Sequence, residues 1–277
     1  MKKVIILGNM VGEPGGFSYA SVSNIYNVLL NNGKDVIPFL IRGIDDLERM
    51  LNRIALDGVF LVTYGGFGND GTLQSILEAN NISFNNNGSK THGICYDKLK
   101  TYEVLDKLGI LRPKVYKNPK YPCVIKPTSG EGGQGVVFVN TLSEFKKVNL
   151  EGCHIEQYVE GQEYTISMYK GIIGNPVQIT PETEVWAGNN PVEETLDYNK
   201  KNEIRNLVKE MVVSIYDEVE ANAGLRIDFR VNDSGVYVFD VNSMPILNKG
   251  GYFHRSLMDY DDSITFEFLI DDMYNDL

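Results

Sequence analysis

Two acids and an amide, Asp228, Asp240 and Asn242, have the types and spacing of an oxygen-donor cation site. They lie in Leu225-Arg226-Ile227-Asp228-Phe229-Arg230-Val231 and Val236-Tyr237-Val238-Phe239-Asp240-Val241-Asn242. Both runs alternate apolar and polar residues, the period of a half-buried strand. The link predicts a hairpin with a three-residue loop, Asp233-Ser234-Gly235, and Gly235 in the left-handed region. That loop pairs Asn232 with Val236. Counting back sets Asp228 opposite Asp240 and Arg226 opposite Asn242. The other face then pairs Ile227 with Val241, Phe229 with Phe239 and Val231 with Tyr237. A two-residue loop would instead set Ile227 against Asp240, because a one-residue slip flips every side chain. Like charges opposed across strands destabilise a sheet. A cation between them reverses that sign, and all-oxygen ligands suit a hard ion such as Mg²⁺. The competing reading is a surface hairpin with scattered charge.

A second candidate is Lys126, which ends the strand-like run Val124-Ile125-Lys126-Pro127. Thr128-Ser129-Gly130-Glu131-Gly132-Gly133-Gln134-Gly135 follows, then another strand. Glycines at this density let backbone amides turn inward as an anion nest, and a lysine just before the loop can meet phosphate oxygens. No Gly-Lys-Ser/Thr opens a helix, so this is not a Walker loop. A flexible hairpin with a chance lysine is the plainer alternative. In His154-Ile155-Glu156-Gln157-Tyr158-Val159-Glu160-Gly161-Gln162-Glu163, the backbone could read a base edge, and Glu163 could accept ribose hydroxyls. An ordinary strand connection with solvated acids is the alternative. No Cys/His or Ser/His nucleophile motif is present, and His92, His154 and Cys153 read as structural.

Elements must position these groups. The first third reads β-α-β-α-β: strands Val4–Leu7, Asp35–Leu40 and Val59–Val62, with helices Ser18–Asn31 and Ile44–Arg53. Val22, Ile25, Tyr26, Leu29 and Leu30 are assigned to one helical face. Such alternation implies a parallel sheet with ligands at its C-terminal edge. Glycine-rich segments follow strands there, at Gly8–Gly16 and Tyr64–Gly71, the second leading into a helix over Thr72–Asn80. After a helix near Asp97–Leu108 come short strands: Cys123–Lys126, Val136–Val139, His154–Tyr158 and Tyr164–Tyr169. A polar loop, Pro181–Asp197, precedes a long helix, Lys200–Ala223, and the hairpin. The shift from α/β alternation to strand-rich α+β sets a boundary near Ser89. The expected units are 1–88, 89–157 and 158–277.

The 277 residues, 43% of them hydrophobic, suffice for one large or two to three small domains. No apolar run reaches the roughly 18 residues of a membrane span. Met1-Lys2-Lys3 and the short apolar run after it read as the start of a strand, not a signal peptide. Cys95, Cys123 and Cys153 are odd in number and widely spaced, which suggests neither zinc nor a disulfide framework; a reducing cytoplasm is the expected compartment. A net charge of −11 argues against nucleic-acid partners.

The order Lys98, Lys126, glycine loop, Glu156 to Glu163, Arg226-x-Asp228 and Asp240-x-Asn242 resembles the ATP-grasp superfamily, and within it the D-alanine–D-alanine ligases. The resemblance spans nearly the whole chain, through Gly15-Gly16-Phe17-Ser18, Gly65-Gly66-Phe67-Gly68-Asn69-Asp70-Gly71, Asp97-Lys98, Ile125-Lys126-Pro127, Ile155-Glu156, Arg226-Ile227-Asp228 and Asn242-Ser243-Met244-Pro245. It implies an α/β N-terminal domain followed by an α+β ATP-grasp fold whose two subdomains clamp ATP. Lys98 and Lys126 would hold phosphates under a loop of Ser129, Gly130, Glu131, Gly132, Gly133 and Gln134. Glu156, Gln157, Tyr158 and Val159 would line the adenine pocket, and Glu163 would meet the ribose. Asp228, Asp240 and Asn242 would hold two Mg²⁺ ions, and Arg226 would steady an oxyanion. The implied reaction activates a carboxylate as an acyl phosphate, releasing ADP, and an amine then attacks. Catalysis of this kind is positioning and charge neutralisation, with Lys126 and Arg226 as its agents. Amino-acid substrates, a role in peptidoglycan precursor synthesis and a homodimer are further expectations of the resemblance.

The chain departs from the family on the substrate side. Ser18-Tyr19-Ala20-Ser21-Val22-Ser23 lacks the family's glutamate, Tyr64 replaces a histidine, Ile246 replaces a glycine, and Asp240 replaces a glutamate. The lid segment Pro181-Glu182-Thr183-Glu184-Val185-Trp186-Ala187-Gly188-Asn189-Asn190 has no lysine. A ligase for another substrate pair, a binding module without turnover and a kinase that stops at phosphoryl transfer are the competing readings.

Overall fold

The computed structural model describes residues 3–10, 17–130, 132–181, 184–185, 192–194 and 196–277. The first layer runs β1 (Val4–Asn9), α1 (Phe17–Asn31), β2 (Val36–Ile41), α2 (Ile44–Leu51), β3 (Gly58–Val62), a 3-10 turn (Gly66–Gly68), α3 (Thr72–Ala79) and β4 (Ser83–Phe84). These strands form a parallel sheet in the order β2-β1-β3-β4. β1 and β3 are buried throughout because both faces are covered, and apolar but for Asn9 at the end of β1. On α1, Val22, Ile25 and Leu29 are buried as the sequence pattern predicts, but Leu30 is 52% exposed. One residue past Leu29 turns the helix by about 100°, off the apolar stripe. Of the glycine-rich segments Gly8–Gly16 and Gly15-Gly16-Phe17-Ser18, residues 11–16 lie outside the described residues.

α4 (Ser89–Cys95) and α5 (Lys98–Lys107) lead to β5 (Val115–Tyr116), β6 (Cys123–Pro127), β7 (Val137–Val139), α6 (Leu142–Phe145) and β8 (Cys153–Gln157). Asp97 caps α5, accepting from the N–H groups of Leu99 and Lys100. The small antiparallel sheet is ordered β5-β8-β6-β7. β9 (Gln162–Tyr169), β10 (Ile172–Ile173), β11 (Val177–Thr180), β12 (Val192–Glu194), α7 (Tyr198–Glu218), β13 (Leu225–Asn232) and β14 (Gly235–Asn242) follow. The larger antiparallel sheet runs β12-β11-β9-β13-β14, with β10 beside β9. β12 lies inside the segment expected to be an irregular loop. α7 begins two residues early, where Asp197 caps it, and ends at Glu218; the chain then turns through Glu220 at φ +56°.

α8 (Tyr252–Tyr260) and α9 (Phe266–Asn275) have no counterpart in the sequence reading. Their apolar faces join the core of the first sheet: Phe253, Leu257, Phe266, Leu269, Ile270 and Met273 cluster with β1, α1 and β3. Buried Asn87 ties this layer to the hairpin: Nδ2 donates to the carbonyls of Gly224 (2.8 Å) and Ser243 (2.9 Å). Its Oδ1 accepts from the N–H groups of Asn222 and Ala223, both at 3.0 Å. Among the described residues no helix is long and apolar enough to cross a membrane.

Gly71 requires glycine on two counts. Its φ is +92°, and a Cβ there would stand 2.4 Å from the Ser89 carbonyl oxygen. Gly71→Ala is therefore expected to destabilise by at least about 2 kcal/mol, read as a lower urea midpoint.

Candidate active site

The hairpin sets the acids in register, by a route the alternation did not show. Asp228 faces Asp240, Arg226 faces Asn242 and Ile227 faces Val241. Nearer the tip, however, Phe229 pairs with Val238, Arg230 with Tyr237, Val231 with Val236 and Asn232 with Gly235. The loop is thus two residues, Asp233-Ser234, not three, and the expected pairs Phe229–Phe239, Val231–Tyr237 and Asn232–Val236 do not form. A β-bulge after Asp240's pair restores the register, with Phe239 as the extra residue on β14. Gly235 has the expected positive φ, 135°, but as the first residue of β14.

The small sheet presents the facing wall. Lys126 lies opposite His154 and Val124 opposite Glu156 in the β6/β8 ladder. Strand alternation puts Lys126, His154 and Glu156 on one face. Lys126 Nζ lies 2.9 Å from Glu156 Oε1 and donates to the Phe239 carbonyl at 3.1 Å. Tyr102 Oη donates to Glu156 Oε2 at 2.6 Å. Burial alone would push the Glu156 carboxyl up; Lys126, with hydrogen bonds from His154 and Tyr102, outweighs it and holds the group below its ordinary value. The Glu156 carboxylate is thereby committed to protein partners, so a base edge beside it would meet the backbone of Gln157 to Val159.

Between the walls lies an open cleft enclosing about 790 Å³ of space, part of it continuous with solvent. Lys98, Lys126, Gly130, Gly132, Gly133, Gln134, Glu156, Gln157, Tyr158, Val159, Glu163, Asp228 and Asp240 all line it. Gly132 and Gly133 are consecutive at φ +71° and +68°, a backbone that few other residues would adopt. Ser129 is not among the lining residues and forms a bridge with Asp97. Glu131 lies outside the described residues, as do Glu182, Thr183 and Trp186 to Asn190 of the expected lid. Asn242 opens instead on a smaller adjoining pocket of about 250 Å³, which shares Gly130 and Asp240 with the cleft.

Each cation that lines the cleft is paired with an acid, and so is Arg226, which is not itself among the lining residues. Arg226 forks onto Asp228, Nε to Oδ1 at 3.1 Å and Nη2 to Oδ2 at 2.9 Å. Thr165 Oγ1 donates to the same Oδ1. Lys98 Nζ lies 3.5 Å from Asp240 and donates to the Gly130 carbonyl at 2.6 Å. These partners explain how two opposed carboxylates are tolerated across the hairpin. The donor set, two carboxylates and an amide, fits a hard cation by chemistry. Asn242 Oδ1 here accepts from the Met244 N–H at 2.9 Å. Among the described residues no group of three or more His, Cys, Asp or Glu side chains gathers around one point.

Sequence reasoning missed two contributors. Arg230 stands two residues from Asp228 on the same face of β13. Its Nε and Nη2 hold Glu163 Oε2 at 3.0 and 2.8 Å, and its Nη1 donates to the Val159 carbonyl at 2.8 Å. Burial pushes the Glu163 carboxyl above its ordinary value, against the pull of Arg230. Tyr102 follows Lys98 by four residues, one turn of α5. The signals were present, the strand period for Arg230 and the helical period for Tyr102.

On the first sheet's side, Tyr64 is 7% exposed. Its hydroxyl accepts from the Leu247 N–H at 2.9 Å and donates to Ser21 Oγ at 3.3 Å. Ser21 in turn donates to Asn248 Oδ1 at 2.9 Å. Tyr64→Phe would orphan the Leu247 N–H and is expected to destabilise by about 1–3 kcal/mol in urea denaturation.

Fold and cleft together define an ATP-grasp protein, and residues 95–246 match the ATP-grasp domain family. A D-alanine–D-alanine ligase of Pseudothermotoga lettingae is 31% identical, over 88% of this chain and 89% of that one. The structure of Bacillus anthracis D-alanine–D-alanine ligase complexed with ATP shares the fold, with a TM-score of 0.84 and 22% identity over 99% of this chain and 97% of that chain. The VanG D-Ala:D-Ser ligase of Enterococcus faecalis gives a TM-score of 0.78 at 20% identity, covering 99% of each chain. The chain belongs to the D-alanine–D-alanine ligase family of ATP-grasp enzymes and is an ATP-dependent ligase.

Proposed function

We propose that the cleft holds ATP and Mg²⁺ and joins two amino acids, D-alanine with D-alanine in the leading reading, through an acyl phosphate with release of ADP. The observation that carries this reading is the convergence of Lys98, Lys126 and the in-register pair Asp228/Asp240 on one cleft. Lys98 and Lys126 bind the phosphates, and the amides of Gly130 and Gly132 to Gln134 close over them. The backbone of Gln157 to Val159 reads the adenine edge, and Glu163, braced by Arg230, takes the ribose. Asp228, Asp240 and Asn242 hold Mg²⁺, whose chemistry here is to neutralise phosphate oxygens. Arg226 turns its charge to the oxyanion that develops as the amine attacks. The enzyme works in the cytoplasm, as a homodimer, on peptidoglycan precursors.

The substrate-side substitutions support a second reading, a different amino-acid pair. Tyr64 and Ser21 are engaged with each other and with Leu247 and Asn248, and Ile246 stands beside them. Phosphate release from Mg-ATP with single amino acids and pairs, with products weighed by mass spectrometry, separates the two. D-alanyl-D-alanine supports the leading reading; another amide keeps the mechanism and changes the substrates. Phosphorylated acid without amide would overturn the ligation step.

A further inference from the structure

His154 is a buried side chain that the scheme above does not use. Its Nε2 lies 3.1 Å from Glu156 Oε2 and its Nδ1 lies 3.3 Å from Thr128 Oγ1. The partners decide the tautomer. An ionised Glu156 can only accept, so Nε2 carries a proton, and in the neutral ring Nδ1 then accepts from the Thr128 hydroxyl. Thr128 is the first residue of the glycine loop. Its N–H donates to the Gly152 carbonyl and its carbonyl accepts from the Lys98 N–H, both at 2.9 Å.

We propose that His154 is a positioning residue, tying the root of the glycine loop to the carboxylate that holds Lys126. The proposal rests on the reading that Lys126 meets the nucleotide phosphates. A lysine on a four-carbon stem has many rotamers. Glu156 selects one of them only if its own carboxylate is fixed. Lys126 holds one oxygen of that carboxylate; Tyr102 and His154 hold the other. Without His154 the second oxygen keeps a single donor, and the Thr128 hydroxyl loses its acceptor. The ammonium and the loop amides then lose their fixed relative placement. The loss falls on phosphate binding and not on the amine substrate.

The test compares the wild type with His154→Leu, His154→Gln, Thr128→Val, the His154→Leu/Thr128→Val double variant and Lys126→Gln. ADP affinity is measured by calorimetry, and kcat and both KM values by ADP release. His154→Leu is expected to raise the ADP Kd and the ATP KM about tenfold, the loss of one hydrogen bond to a charged group. The amine KM should stay unchanged. His154→Gln, whose amide can donate to Glu156, should recover most of the affinity. Thr128→Val should show a smaller rise that adds nothing to His154→Leu, because both cut one chain. Wild-type ADP affinity in folded His154→Leu, or an equal rise in the amine KM without rescue by Gln, overturns the proposal. Should His154→Leu fail to fold, wild-type affinity in Thr128→Val overturns it. Unchanged affinity in Lys126→Gln would instead sink the underlying assignment of Lys126 to the phosphates.

Discussion

Lys126→Met is expected to lower turnover by about 10²–10³-fold and to destabilise the fold by about 3–5 kcal/mol. Both effects have one origin. Lys126 and Glu156 are each about 5% exposed in their side chains and 2.9 Å apart. Removing the ammonium leaves a carboxylate in a site too dry to solvate it. The pH dependence should invert as well. In the wild type Glu156 titrates below its ordinary 4.5. Its contribution to stability is present above that value and lost as pH falls through the folded one. Without Lys126, burial dominates, and the folded value moves above the unfolded one. The variant should then gain stability on acidification where the wild type loses it. Urea denaturation of both proteins between pH 7 and about pH 3 reads the two slopes. Parallel slopes would show that the buried pair does not control Glu156.

Asp240→Asn should separate chemistry from stability. The side chain is 22% exposed, and Lys98 stands 3.5 Å away. Asparagine keeps the shape and removes one of two like charges opposed across the hairpin. Thermal stability without metal should stay within about 1 kcal/mol of wild type, while turnover falls by about 10²–10³-fold. Added MgCl₂ with ADP should raise the melting temperature of the wild type and much less that of the variant. Full turnover in Asp240→Asn would remove Asp240 from the proposed metal set.

The residues that line the cleft were largely legible because their signals are local. Strand alternation fixes which of Arg226, Asp228, Asp240 and Asn242 share a face, and the glycine run after Lys126 needs no tertiary information. The turn length was not legible. Asn232-Asp233-Ser234-Gly235 suits a two- or a three-residue loop, and the bulge at Phe239 carries no residue signature of its own. The partners of Glu156 were hidden for a different reason. Tyr102 and Lys126 reach it across sequence separations that only the assembled sheet and α5 close. α8 and α9 were missed altogether, and their seat on the core of the first sheet lies far from them in sequence. Leu30 shows the limit of a face drawn too wide, since one residue beyond the buried stripe is already in water.

The placement of α9 bears on how the protein is made. The first strands leave the ribosome early, yet Phe266, Leu269, Ile270 and Met273 complete the core beneath them. At roughly 5–20 residues per second, about 10–40 s separate synthesis of β3 from synthesis of α9. For that interval the nascent sheet has an uncovered apolar face. Its protection during translation, by a chaperone or by delayed collapse, becomes a condition of making the enzyme at all.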